Sequence, residues 1–181
     1  GAHFWRGLAV AQGHWLPAPR PAPVPMRVDD GFKVLYYLSV QVSLERTGGF
    51  GIEALRTVAR IPPGRTREPI AFVPLYTPLP YIPQALAAAA TSVPRARPLV
   101  TFYAGRISNL AGTLALIALA IRIAPQCALI FGVIALLPMT LFQMASWSAD
   151  SMTIGLSFLL TALAVRTSTE KGRLTSRQMA S

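Results

Sequence analysis

"LVTFYAGRISNLAGTLALIALAIRI", residues 99–123, decides the fold. From Leu110 to Ile121 it holds no charged side chain, and Arg106 and Arg122 bracket that apolar core. A helix needs about 20 apolar residues to cross the roughly 30 Å hydrocarbon layer of a bilayer. The stretch meets that requirement. Two further apolar runs follow, Cys127–Ala145 with Pro138 inside it and Ala149–Val165 with Asp150 at its start. Pro125 separates the first run from the second, and "SWSAD", residues 146–150, separates the second from the third. The pattern predicts three transmembrane helices. A proline inside a span is tolerated where neighbouring helices satisfy the carbonyl it frees.

The composition agrees. Of 181 residues, 52% are hydrophobic and 13% are charged, with a mean hydropathy of +0.45. A soluble domain carries about 25% charged residues. The net charge of +10 comes from 17 Lys and Arg against 7 Asp and Glu, and all but Lys33 and Lys171 of these cations are arginines. There is no basic helix with interleaved aromatics, which speaks against nucleic acid. Basic residues scattered around apolar spans suit membrane lipid phosphates instead. The single cysteine, Cys127, excludes a disulfide framework and reads as a packing residue.

The region before the spans is mixed. "GAHFWRGLAVAQGHWL", residues 1–16, has apolar residues near helical spacing and reads as an interfacial helix with Trp5 and Trp15 at headgroup depth. A Pro-rich strip follows. The apolar run Val34–Val42 is too short to span and suits either a surface-packed helix or a strand. Residues 50–71 read as a loop, and Asp29–Asp30 as solvated turn chemistry. Pro74, Pro78, Pro80 and Pro83 exclude a regular helix before Gln84. The Ala-rich segment Gln84–Ser92 is then a juxtamembrane helix stopped by Pro94.

The expected fold class is therefore an all-α polytopic membrane protein. Residues 1–98 form a long extracytoplasmic loop with interfacial and juxtamembrane helices, 99–166 form three transmembrane helices, and 167–181 form a cytoplasmic tail. Orientation follows the basic residues beside the spans: the Arg122 loop and the tail with Arg166, Lys171, Arg173 and Arg177 face the cytoplasm. The turn bearing Asp150 faces outward. The chain begins with Gly1 and reads as a piece of a longer protein.

Two side chains stand out for chemistry. Asp150 follows Ser148, a fair N-cap, and a carboxylate in a first helical turn is favoured by the helix dipole. Alternatively, Asp150 points into an outward cleft with Ser146 and Ser151. Arg106 is either an interfacial anchor with a snorkelling stem or a phosphate clamp. Asn109 shares its face, and Gly105, Ser108 and Gly112 form a small-residue stripe suited to close helix packing. An Arg106–Asp150 ion pair is a third arrangement. Tyr76, Thr77 and Tyr81 read as an aromatic belt, and His3 and His14 lack metal-ligand spacing.

Four stretches, "AHFWRGLAVAQG", "LYTPLPYIPQA", "AGRISNLAG" and "LLPMTLFQMASWSADSMTIGLSFLL", resemble a bacterial membrane family known as domain of unknown function 2142. That family in turn is similar to the GT-C membrane glycosyltransferases, which take a sugar from a polyprenyl-phosphate donor at the outer membrane face. The resemblance implies a partial GT-C-like architecture in the bacterial inner membrane, with membrane lipid and a lipid-linked sugar as partners and no nucleic acid. It implies catalytic roles for Arg106 and Asp150 and substrate-binding roles for His3, Arg6, Tyr76, Tyr81, Asn109 and Ser148. The sequence names no metal ligand, and a divalent ion at Asp150 is what such a site would add. The family's Asp-Glu pair would fall immediately before Gly1, so the fragment alone is expected to be inactive. A carrier or flippase for a lipid-linked substrate, or a membrane scaffold, is the alternative.

Overall fold

The computed structural model describes residues 2–15, 24–45, 52–62, 64, 66–70, 77–92 and 96–179. Their element order is α1 (Ala2–Ala11), β1 (Val24–Val28), α2 (Asp30–Glu45), α3 (Ile52–Arg60), β2 (Thr66–Ile70), a 3-10 turn (Leu79–Tyr81), α4 (Ile82–Ser92), α5 (Pro98–Ile123), a second 3-10 turn (Pro125–Cys127), α6 (Ala128–Ala135), α7 (Pro138–Met144) and α8 (Asp150–Met179). The protein is all-α in class, with one two-stranded ribbon. It divides into two compact units, Gly1–Ser108 and Asn109–Ser181.

In the first unit α1 is the inner helix. Phe4, Trp5, Leu8, Ala9 and Val10 are all buried. A helix apolar on every face is a core helix. Trp5, expected at headgroup depth, packs inside the unit against Phe4 and Tyr36, with ring centroids 5.2 and 5.6 Å away. Trp15 is half exposed. The helix ends in a Schellman motif. His14 N–H donates to the Ala9 carbonyl at 2.9 Å and Gly13 N–H to the Val10 carbonyl at 3.0 Å. Gly13 sits at φ 87°, where an L side chain is strained.

The Val34–Val42 run lies in α2, which settles the helix-or-strand alternative. Its start is capped by Asp29, whose Oδ1 accepts the Gly31 N–H at 3.0 Å and whose Oδ2 accepts the Gly64 N–H at 3.1 Å. Asp29 is buried, so it is no solvated turn residue. Asp30 instead pairs with Lys33 at 3.1 Å. Residues 50–71 are not one loop either. Ile52, Leu55 and Val58 recur at three-residue intervals with Glu53 and Arg56 between them, which makes α3 amphipathic despite its polarity. Val58 is its buried anchor.

β2 pairs antiparallel with β1, from Val24 opposite Ile70 to Val28 opposite Thr66. Met26 and Val28, two residues apart and so on one face of the strand, are both buried. Proline is excluded from central strands because it lacks an N–H, but a two-stranded ribbon has only edges, so Pro25 opposite Pro69 is tolerated. α4 starts at Ile82, two residues ahead of expectation. Pro83 sits in its first turn, where no N–H is needed.

The sequence-predicted first and third spans are present. Pro98–Ile123 and Asp150–Glu170 are long and apolar enough to cross a membrane. The second is not a continuous helix. Pro125–Ala135 and Pro138–Met144 meet at 87°. The proline ring disfavours helical geometry in the residue before it. Leu137 accordingly adopts φ −58°, ψ 135°. Pro138 frees the Ile134 carbonyl, which accepts the Leu137 N–H at 3.3 Å, while the Leu136 N–H keeps its helical bond to the Gly132 carbonyl at 3.0 Å.

α5 and α8 run parallel. Thr113 Oγ1 donates to the Ser151 carbonyl at 3.0 Å. One turn further along both helices, a Cβ placed on Gly155 would lie 3.1 Å from Leu116 Cβ. The small residue that permits this approach is thus Gly155 on α8. Below it Ile117, Ala120, Phe131, Met144, Phe158 and Ala162 form the core, and Cys127 packs beside them as a small apolar residue. Phe131 meets Phe158 edge-on at 5.2 Å.

Candidate functional site

The sequence-predicted residues fall into three groups. The first lies in the Gly1–Ser108 unit. His3 on α1 and Tyr81 in the 3-10 turn before α4 are 78 residues apart in sequence, yet His3 Nδ1 and the Tyr81 hydroxyl share a 2.7 Å hydrogen bond. Their rings stack with 6.2 Å between centroids. Arg6, one helical turn on, is almost wholly buried. Its Nη1 donates to the His14 carbonyl and its Nη2 to the Trp15 carbonyl, each at 3.0 Å. Burial lowers the Arg6 pKa, and the electrostatic interaction with Tyr81 raises it in part. A guanidinium keeps its proton through such a shift. Arg6 therefore fixes the hook that follows α1 and places a permanent positive charge close to a phenol.

Arg106, on α5 in the same unit, forms the second group. Its guanidinium carbon lies 5.9 Å from the ring centroids of both Phe102 and Tyr103, within cation–π range. These are the residues four and three positions back on the same helix face. The rings hold the planar fork in place. Ser108, two residues on, donates to the Pro83 carbonyl at 2.7 Å and so ties α5 to the first turn of α4.

The third group surrounds the start of α8. Ser148 Oγ accepts the Asp150 N–H at 3.0 Å, and its hydroxyl donates to Asp150 Oδ2 at 3.0 Å. That is the capping arrangement the sequence suggested, with Asp150 exposed in the first turn. Ser146 spends its hydroxyl proton on the Gln143 carbonyl at 2.7 Å, and its Oγ lies 3.1 Å from Ser148 Oγ. Asn109, fully buried, anchors the turn by donating from Nδ2 to the Ser146 carbonyl at 2.7 Å. Ser151 donates to the Ser148 carbonyl at 3.2 Å. The result is a polar turn built on an otherwise apolar unit.

Tyr76 lies outside the described residues. Arg106 belongs to the first unit and Asp150 to the second. Among the described residues no group of three or more His, Cys, Asp or Glu side chains is placed to hold a metal ion. Sequence reasoning passed over Asp29, whose carboxylate joins two segments 35 residues apart. The available signal was the first Asp of the Asp29–Asp30 pair, standing just before a helical apolar run, which is an N-cap pattern.

Residues 40–181 match the family described as "Predicted membrane protein (DUF2142)". No curated protein and no solved structure matches the chain. The match takes in Tyr76, Tyr81, Arg106, Asn109, Ser148 and Asp150, along with every helix among the described residues that is long and apolar enough to cross a membrane. The chain belongs to the DUF2142 family of predicted membrane proteins.

Proposed function

We propose that the protein is part of a membrane glycosyltransferase of GT-C type, moving a sugar from a polyprenyl-phosphate donor to a cell-envelope acceptor at the outer face of the bacterial inner membrane. The observation that carries the reading is the meeting of His3 and Tyr81 across 78 residues beside the buried Arg6 charge. A half-buried imidazole oriented by a buried phenol and a buried cation, all outside the spans, suits the recognition of a phosphate-linked sugar. In this reading residues 1–98 are extracytoplasmic, 99–166 cross the membrane three times and 167–181 return to the cytoplasm. The parallel run of α5 and α8 supports the three crossings. The chain between them has to travel back along the α5 axis, so the bent α6–α7 pair counts as one broken span rather than a re-entrant loop.

In the transfer step the acceptor oxygen bonds to the anomeric carbon as the bond from that carbon to the phosphate oxygen breaks. The acceptor proton passes to a carboxylate base, and polyprenyl phosphate leaves with the bonding electron pair. Arg106 stabilises the charge that gathers on the leaving phosphate, since a guanidinium fork suits two phosphate oxygens. Its seat on Phe102 and Tyr103 pre-orients it. Tyr81, fully buried, orients the half-buried His3 through their hydrogen bond, and His3 is the member of the pair that meets the donor. Arg6 holds the α1 hook on which His3 depends. Asn109 and Ser148 fix the turn that carries Asp150.

The test uses the full-length protein with undecaprenyl phosphate as the probe. Arg106→Ala should weaken its binding by about tenfold to a hundredfold, the worth of a charge-assisted hydrogen bond, and should abolish sugar transfer. Unchanged binding and turnover would remove Arg106 from the site. Arg106-dependent binding without transfer from any polyprenyl-phosphate sugar would favour a carrier.

A further inference from the structure

We propose that the edge formed by Arg60 and Arg97, at the start of α5, binds the headgroup phosphate of an anionic bilayer phospholipid whose acyl chain lies along α5. Three contacts assemble this edge. Arg97 Nη1 donates to the Ala59 carbonyl at 3.2 Å, which brings the C-terminal end of α3, and Arg60 with it, to the residue preceding α5. Gly31 faces Pro98 so closely that a Cβ there would collide with the Pro98 ring, which seats the start of α2 at the same level. Pro98 is the first residue of an apolar helix long enough to span. The edge therefore lies at the height where headgroups meet hydrocarbon.

Both arginines are exposed. Arg97 uses one nitrogen on Ala59, and the Arg60 side chain makes no hydrogen bond among the described residues. Arg56, by contrast, is engaged by Glu53 at 2.8 Å. Beyond Arg97, α5 exposes Val100, Tyr103 and Ile107, which are 53%, 42% and 65% accessible. Their spacing of three and four residues places them on one helix face. Cations above an apolar stripe, with a tyrosine between, match a phospholipid read from phosphate to acyl chain. A free phosphate would use only the upper half of this surface.

The experiment titrates the full chain in neutral detergent with phosphatidylglycerol, phosphatidylcholine or inorganic phosphate, and counts bound ligand by native mass spectrometry. Phosphatidylglycerol should bind more tightly than phosphatidylcholine. Arg60→Gln and Arg97→Gln should each weaken it by about fivefold, the worth of one basic residue at an anionic surface. Phosphatidylcholine binding should not change, and inorganic phosphate should compete only weakly. Arg97→Gln also loosens the end of α3. Arg60→Gln carries the test free of that effect, with unchanged thermal unfolding as its control. Equal affinity for the two lipids, full phosphatidylglycerol binding by the Arg60→Gln, Arg97→Gln double variant, or displacement by inorganic phosphate as effective as by lipid would each overturn the proposal.

Discussion

The two units differ in what they leave outside. Gly1–Ser108 packs Phe4, Trp5, Phe32 and Tyr81 inside and spends capping groups such as Asp29 and Gly13 on short elements. Asn109–Ser181 buries Phe131, Trp147 and Phe158 together with the polar Asn109, Thr113 and Ser151, while Leu129, Leu136 and Met139 are each 70% exposed or more. A water-soluble unit that exposed so many aliphatic side chains would associate through them. In a bilayer the same surface is solvated by lipid, and helices then adhere through close packing and hydrogen bonds rather than through the hydrophobic effect. The first unit is organised by burial and the second by fit.

That contrast can be broken most directly at Phe4, which touches Trp5, Phe32 and Phe102. Phe4→Ala should cost about 3–5 kcal/mol of stability. Leu129→Ala, at a site 79% exposed, should stay within about 0.5 kcal/mol. Thermal unfolding of both variants in one detergent compares them. Similar losses would show that the second unit also depends on apolar burial.

A second break lies at Gly31. The Gly31→Ala methyl would meet the Pro98 ring, which cannot swing aside, so the change should cost about 1–3 kcal/mol. Native-state hydrogen exchange should show the loss as earlier opening of α2. At Gly13 there is open space for a methyl, and only the positive φ opposes it. Gly13→Ala should therefore cost about 1–2 kcal/mol, read from urea unfolding, with Gly13→Asn costing less. The smallest expected effect sharpens the other side of the comparison. Thr113→Val removes the hydrogen bond to Ser151 and should cost only about 0.6 kcal/mol, the usual worth of such a bond between membrane helices.

The sequence was most legible where one requirement dominates. Length and apolarity place Pro98–Ile123 to within a residue, because few other folds tolerate such a run. The N-cap at Ser148 could be read for the same reason, since a hydroxyl two residues before a helix start has few other uses. The depth of α1 was not legible. Phe4, Trp5 and Leu8 have the same spacing whether the helix lies on a headgroup layer or in a protein core, and only α2, α4 and α5 packed around it decide. α3 was obscured by its charges, although its period of apolar residues was present. The bend at Leu137 was half visible. Pro138 announces a disturbance, but its 87° size depends on the second unit's packing. At the candidate site, the spacing of His3 and Tyr81 holds no hint of their bond, because it depends on how α1 meets the start of α4.

The central claim is that the apolar region crosses the membrane three times, with α6 and α7 forming one broken crossing between the parallel helices α5 and α8. Two single-cysteine variants test it in intact cells, Gln126→Cys and Asp150→Cys, each in a Cys127→Ser background so that the native thiol does not report. Both positions are exposed. The account predicts that a membrane-impermeant maleimide labels position 150 from outside, and position 126 only after the cells are opened. Labelling of both positions from the same side would make α6 and α7 a re-entrant loop and would contradict the three-crossing fold.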